Sequence, residues 1–529
     1  MPRPKTAPKL LAAAALGALA LAQPAAAQQK VLRVVPSANL TLLDPVATST
    51  VIIREHGLAI YESLFAWDAD FNPKPMMVET YAVSPDKLKY TFTLRPGLKF
   101  HDGSPVATKD VLASLNRWMA RDLMGQKLKQ FMTGIERVDD RSFTLTLKEP
   151  YGFVELSLGS AIGQIPVIMR EKEAMTDPFQ QVPESIGSGP YKFIKSEWVP
   201  GATVVYEKNT DYVPRSEPPN GLSGARLVKV DRMEWKVIPD AATAANALAR
   251  GEVDLWDQPR IDLLPTLATN KEVVIGKLHK LGNVGLYRPN ALFPPFNNVK
   301  ARQALAALIN QPDYMGAAFG DPKFWQTCDA YYVCGGPYET KTGSEMFGKR
   351  PDRDKAKQLL AESGYKGEPI VILSTTEIGW IGALAEVAAS ELKAIGANVD
   401  LQIYDWGATT ARVNKKDPPD KGGWNIFLTG ASGATMHHPL TNLGTNMSCK
   451  GDNFIGWPCD EETESLRDKF IRAPDEATRK TTLEALSRRL WEEQPYTLLG
   501  QYDQPYAWRR NIEGVLKAPI IVFWNISKS

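Results

Sequence analysis

Between Ser84 and Arg117 the spacing of hydrophobic positions changes twice, and the rest of the chain can be read outward from there. Tyr90, Phe92 and Leu94 alternate with Lys89, Thr91, Thr93 and Arg95, the period of a strand with one buried face. Pro96-Gly97 breaks the run as a turn, Leu98 and Phe100 resume it, and Asp102-Gly103 turns it again. After Pro105 the period lengthens. Val111, Leu112, Leu115 and Trp118 or Met119 share one helical face, with Thr108 as the expected cap and Asp110 near the positive end. The pattern predicts a hairpin followed by an amphipathic helix, with no residue arranged for chemistry.

The same two periods recur along the chain. Val31 to Val35 is a short apolar strand leading into the loop Pro36-Ser37-Ala38-Asn39-Leu40, and Phe143, Leu145 and Leu147 predict a strand near the first hairpin. Asp240 to Arg250 is an alanine-rich helix capped by Asp240 and stopped by Gly251. Ala301, Ala304, Leu305, Leu308 and Ile309 form one buried helical face, and Asp354 to Leu360 belongs to a helix ending at Gly364-Tyr365. Ile381, Leu384, Ala388, Leu392 and Ile395 line a longer helix ended by Gly396; Val399, Leu401 and Ile403 alternate directly afterwards. A last helix runs from Asp475 to about Trp491. Helix and strand in repeated succession describe an α/β lobe, and 529 residues exceed one core, so two or three lobes are expected.

Composition adds a compartment. A hydrophobic content of 43% with 23% charged residues is that of a soluble globular protein. Arg3, Lys5 and Lys9, the apolar run Leu10 to Leu21 and Ala25-Ala26-Ala27 read as a secretory signal of residues 1–27. That run is too short to span a membrane, and no other run reaches about 18 apolar residues. No cysteine stands directly after the signal, where Gln28 follows, so a lipoprotein anchor is not expected. Loss of the signal takes three of the 62 basic side chains, leaving 59 against 60 acidic, and nothing suggests a nucleic-acid partner, which would need a basic stripe. The expected location is the periplasm, where disulfides persist. Cys328 with Cys334 and Cys449 with Cys459 are the expected pairs among three connectivities, a bridge between the two loops staying open; neither spacing is a zinc pattern.

Enzyme signatures are lacking. There is no His-Glu-x-x-His, no Walker A and no dinucleotide fingerprint. Gly430-Ala431-Ser432-Gly433-Ala434 approaches the hydrolase elbow without its final glycine. His56 and His279 have no nearby partner in sequence, and His101 sits in the turn block. Neither catalysis nor a cofactor is expected.

Several blocks recur in one order: Tyr61-Glu62-Ser63-Leu64, Leu94 to Gly103, Asp110-Val111, Gly187-Ser188-Gly189-Pro190-Tyr191, Asn209-Thr210-Asp211-Tyr212, Gly251 to Leu255 and Pro294 to Leu305. On these motifs the chain resembles the periplasmic solute-binding proteins serving peptide, opine and nickel importers of the ABC class, extracellular solute-binding protein family 5. The resemblance covers nearly all of the chain after the signal, thinning between Phe324 and Gly348 and between Gly422 and Cys459. It implies a type II periplasmic-binding-protein fold: two α/β lobes joined by a two-crossing hinge, with an extra domain inserted in the first lobe. Lobe I would comprise 28–75, 187–286 and 501–529, the extra domain 76–186, and lobe II 287–500. The glycine run at 187–189 would be a crossover turn, since proline and a strand follow it where a phosphate cradle would open a helix.

The implied activity is capture of a small solute, peptide-like or otherwise polar, in the interlobe cleft and its delivery to an ABC-importer permease by a monomer. The resemblance places Asn39 and Leu40 beside the ligand, and Ser432, Thr435, Met436 and His437 in the loop before Pro439. Trp380, Tyr404, Trp406 and Tyr502 offer flat walls, although aromatics at element ends also serve as core. Peptide-binding relatives carry an aspartate four residues before this proline to hold the α-ammonium; Thr435 cannot supply that charge. Two alternatives stand beside the main reading. Met436-His437-His438 could meet a nickel or metal chelate, as nickel-binding relatives use a histidine here, and Ser432 is loosely placed for a secreted hydrolase.

Overall fold

Three sheets organise the chain in the computed structural model, which describes residues 29–375, 377–450 and 453–529. The expected signal segment lies outside the described residues. The first sheet has seven strands in the order Val273–Gly276, Tyr506–Arg509, Leu255–Trp256, Val31–Val35, Arg232–Lys236, Thr203–Lys208 and Tyr191–Phe193. Val31–Val35 runs parallel to both of its neighbours. A second sheet of six strands is ordered Trp325–Gln326, Thr497–Tyr502, Asn283–Pro289, Ile426–Ser432, Ile370–Thr375 and Val399–Tyr404. The third is antiparallel: Val78–Val83, Lys89–Leu94, Ser142–Leu147, Met132–Arg137.

Two short segments join the first sheet to the second. One lies between Gly276 and Asn283; the other between Tyr502 and Tyr506, after which the chain pairs with both Val273–Gly276 and Leu255–Trp256. The first passage ends a few residues before the expected switch at 286/287, because Asn283 is already hydrogen-bonded in the second sheet.

The organising stretch folds largely as its periods require. Tyr90, Phe92 and Leu94 are buried while Lys89 is exposed, and Phe92 stacks on Phe143 with centroids 5.1 Å apart. Two corrections follow from where its hydrogen bonds go. Lys89–Leu94 pairs with Val78–Val83 and Ser142–Leu147, so its hairpin partner lies upstream; Leu98 and Phe100 are buried beside a single bridge, Lys99 to Pro105. The helix Thr108–Arg121 buries Val111, Leu115, Trp118 and Met119, but its cap is Ala107, whose N–H donates to Asp110 Oδ2 at 2.9 Å. Thr108 instead donates its hydroxyl to the Asp139 carbonyl at 2.5 Å, tying the helix start to the third sheet.

Elsewhere pattern and structure agree. Asp240 Oδ1 accepts from Thr243 N at 2.7 Å, and Gly251 ends that helix at φ 78°. Ile381, Leu384, Ala388 and Leu392 are buried along Gly379–Ala394. Val399–Tyr404 is an edge strand, so its alternation buries little and Ile403 stays half exposed. Cys328–Cys334 and Cys449–Cys459 are both disulfides, with Cα separations of 5.8 and 4.8 Å.

Distant motifs converge on Glu62. Its fully buried carboxylate lies 3.4 Å from Arg226 and 4.0 Å from Arg95, and accepts the Tyr212 hydroxyl. Arg226 in turn lies 4.5 Å from the centre of the Trp524 ring. Close beside it, the Gly187-Ser188-Gly189 run meets the end of the helix Val51–Ile60. A Cβ on Gly187 would fall 1.8 Å from the Ile60 carbonyl oxygen, while Gly189 N donates to that oxygen at 2.8 Å. The glycines are there for close approach of backbone to backbone.

Gly187→Ala is therefore expected to cost about 1–3 kcal/mol through overpacking. Gly364→Ala, with φ +88° and nothing within 4 Å of the added Cβ, should cost only about 1 kcal/mol. Denaturant titration of both variants checks the ordering; a Gly187 variant no weaker than the Gly364 one would refute the contact.

Candidate ligand site between the lobes

Where the two connecting segments meet the sheets, a cavity of about 300 Å³ opens. The first lobe contributes Arg54, from the helix Val51–Ile60, with Gln258 and Tyr506. The second contributes Asn283, Tyr502 and the strand end Gly430-Ala431-Ser432. Lys277, His279 and Asp503 line it from the connecting segments.

Strand pairing sets the second lobe's wall. Asn283 is the register partner of Ser432 on one side and of Tyr502 on the other, so the three form one row on one face. Tyr502 is held by stacking on Phe319, centroids 4.0 Å apart, with Trp380 5.5 Å away on the same cluster. Gly430 leaves room for this ring, since a Cβ there would fall 2.4 Å from Tyr502 Oη. Among the described residues, the side chains of Asn283 and Ser432 have no hydrogen-bond partner, so both are free for a guest.

Charges around the cavity are mostly matched. Lys277 is paired with Asp503 and also donates to the Lys323 carbonyl at 3.2 Å. Burial raises the Asp503 carboxyl above its ordinary range, with Lys277 opposing. His279 accepts from Leu281 N at 3.3 Å, and burial lowers it to about 4, so it is neutral. Behind Arg54 lie Glu55 and Asp257, both buried. Burial, then the charge of Asp257, holds Glu55 protonated well above the carboxylate range. Asp257 is raised by burial and accepts from Ser37 N at 3.1 Å. Glu55 Oε1 and Asp257 Oδ1 have no other partner, and one proton held between the two carboxyls satisfies both.

The structure brings only part of the expected set together. Ser432 and Tyr502 line the cavity, and Trp380 supports Tyr502 from behind. Asn39 accepts from Gly201 N at 2.8 Å, which pins its loop to a neighbouring turn, and Leu40 is fully buried. Tyr404 sits on the edge strand, donating to Gln402 at 3.0 Å under the Arg412 guanidinium. Trp406 opens the helix Trp406–Val413 and packs toward Phe427. Thr435 and Met436 belong to the short helix Gly433–Met436 outside the cavity wall, and Met436 is buried.

His437 and His438 form a different contact. His437 donates from Nδ1 to the Ala434 carbonyl at 2.6 Å, and its ring lies 4.9 Å from Phe71 and 5.7 Å from Trp67. His438 accepts from Leu440 N at 2.9 Å and meets Phe153 and Tyr338 edge-on, each 4.6 Å away. The two rings thus serve as aromatic packing between the second lobe and the segments facing it. Among the described residues no group of three or more histidine, cysteine, aspartate or glutamate side chains could hold a metal.

Sequence reasoning missed Arg54, Gln258, Asn283 and Tyr506. Arg54 carried a signal, a charged residue inside the apolar helix Val-Ile-Ile-Arg-Glu-His-Gly-Leu-Ala-Ile. Asn283 carried none, because only its register in the sheet brings it to the cavity.

Two mixed sheets joined by two short passages, with a cavity walled from both sides, define a bilobal binding protein that holds its guest between its halves. The chain belongs to the bacterial extracellular solute-binding proteins, family 5, whose model of the middle region matches residues 72–454. A probable peptide ABC transporter periplasmic-binding protein, y4tO, of Sinorhizobium fredii (strain NBRC 101917 / NGR234) is 38% identical over 521 residues, 98% of this chain and 97% of the relative. The glutathione-binding protein GsiB of Pectobacterium atrosepticum is 25% identical over 97% of this chain and 96% of its own. Among solved structures, the binding protein AgaA of A. tumefaciens R10 with agropinic acid shares the fold at a TM-score of 0.75 and 24% identity, covering 94% of this chain and 99% of its own. No helix among the described residues is long and apolar enough to cross a membrane.

Burial lowers His437 and His279 to about 4 and holds His438 well below its ordinary value. A lowered folded-state value means that their contribution to stability is full above the ordinary value of about 6.5 and drains away as pH falls toward 4. His437→Phe with His438→Phe, which keeps the ring packing, should flatten the fall in thermal midpoint between pH 6.5 and 4. An unchanged pH slope would place its source elsewhere.

Proposed function

We propose that the protein captures a small polar solute in the interlobe cavity and delivers it to the permease of an ABC importer from the periplasm, acting as a monomer. The observation that carries this reading is the divided wall: Arg54 and Tyr506 come from one sheet's side, Asn283, Ser432 and Tyr502 from the other. Neither half presents the whole site, so a guest binds most tightly when both close on it and shifts the balance toward the closed form. A volume of about 300 Å³ is at the lower end for small-molecule sites, which favours a solute of dipeptide size or less. The relatives named for peptide and glutathione binding support a peptide-like guest.

Binding without turnover fits the same geometry. Ser432 has no hydrogen-bonded base among the described residues, and the Nδ1 of His279 is engaged by Leu281 N. The two histidines expected to meet a metal chelate are packed against Trp67, Phe71 and Phe153.

Thermal denaturation across a solute library, with native mass spectrometry of whatever co-purifies, tests the reading. A solute present at a hundred times its Kd should stabilise the protein by about 2.7 kcal/mol and be recovered unchanged. Its recovery as a product would overturn the reading.

A further inference from the structure

We infer that the solute carries an oxyanion, a carboxylate or a phosphoryl group, and that Arg54 is its anchor. This rests on the interlobe cavity being the binding site. Arg54 lines that cavity while standing half-buried on the helix Val51–Ile60. Its Nη1 donates to the Ala161 carbonyl at 2.7 Å, which fixes the direction of the guanidinium. Its Nε is buried with no partner, and among the described residues Nη2 has none and no carboxylate lies within ion-pair distance. A planar group with one edge held by protein and the other unmet is preset for two parallel hydrogen bonds to an oxyanion.

No other charged side chain among the described residues pairs with it directly. Lys277 and Asp503 neutralise each other, and His279 is neutral. Behind the guanidinium, burial and the charge of Asp257 keep Glu55 protonated, and Asp257 accepts from Ser37 N at 3.1 Å. The Arg54 guanidinium therefore faces the cavity with no carboxylate directly paired to it, the one negative charge of the Glu55–Asp257 pair lying behind it. Opposite it stand the unpartnered side chains of Asn283 and Ser432 on the second lobe, donors and acceptors for the rest of the guest. Guanidinium N–H groups left unmet in a closed site are costly, and an oxyanion guest meets them when the halves close.

The test is calorimetric titration of the purified protein with amino acids, dipeptides, dicarboxylates and sugar phosphates, each beside its neutral amide, ester or dephosphorylated form. Anionic members should bind at least ten-fold tighter than their neutral counterparts. Arg54→Gln should erase that difference, lowering affinity for the anion at least ten-fold while changing the neutral form by less than three-fold; Arg54→Lys should restore part of it. Circular dichroism and the thermal midpoint of both variants verify the fold, and the neutral-ligand arm separates a lost anchor from a distorted site. Discrimination confined to carboxylates or to phosphates identifies which oxyanion is read. Neutral forms binding as tightly as the anions, or Arg54→Gln retaining the anion's affinity, would overturn the proposal with the receptor reading intact. Binding by no member, with no solute co-purifying, would remove the receptor reading and this proposal together.

Discussion

The buried carboxylate of Glu62 is the interaction on which the assembly of the first half depends. It draws Arg226, Arg95 and Tyr212 to one point, with Trp524 over Arg226. These residues lie in the segment after the first helix, at the turn following Lys89–Leu94, beyond the strand Thr203–Lys208, before the strand Arg232–Lys236 and near the chain's end. Removing one partner of a buried pair of this kind costs about 3–5 kcal/mol, since the other charge is left in the interior. A single charge thus ties the third sheet, the first lobe and the returning tail together at one point.

Contacts made across to that second lobe are of a weaker kind. Lys127–Asp468 at 3.0 Å and Arg472 with Glu149 are both partly exposed, and such pairs contribute about 0–1 kcal/mol each. The aromatic faces of His437 and His438 are buried against their partners, but they carry no ion pair. Strong pairing within the first half and modest pairing between halves is the balance a reversible closure needs.

What the chain disclosed in advance follows from the range of the forces involved. Tyr90-Phe92-Leu94, the Asp240–Gly251 helix and the face from Ile381 to Leu392 were legible because period and capping are local. The bilobal fold was legible through motif order, and Glu62 brings three of those motifs together, since Glu62, Arg95 and Tyr212 meet around one carboxylate. The site was less legible. Ser432 and Tyr502 stood out by residue type, whereas Asn283 reaches the cavity only through its register between them, and pairing across more than 140 residues leaves no local trace. Thr108 failed as a cap for a related reason: Asp139, distant in sequence, took its hydroxyl and left Ala107 to start the helix.

The ring contact of His437 with Trp67 and Phe71 joins the two halves beside the cavity, since Phe71 also meets His279 of the cavity wall at 6.1 Å. Apparent affinity scales with the fraction of molecules already in the competent conformation. Changes in this aromatic seam that shift the open–closed balance would therefore make the receptor hold every guest more or less avidly by a common factor. Evolution can in this way adjust scavenging strength through the seam.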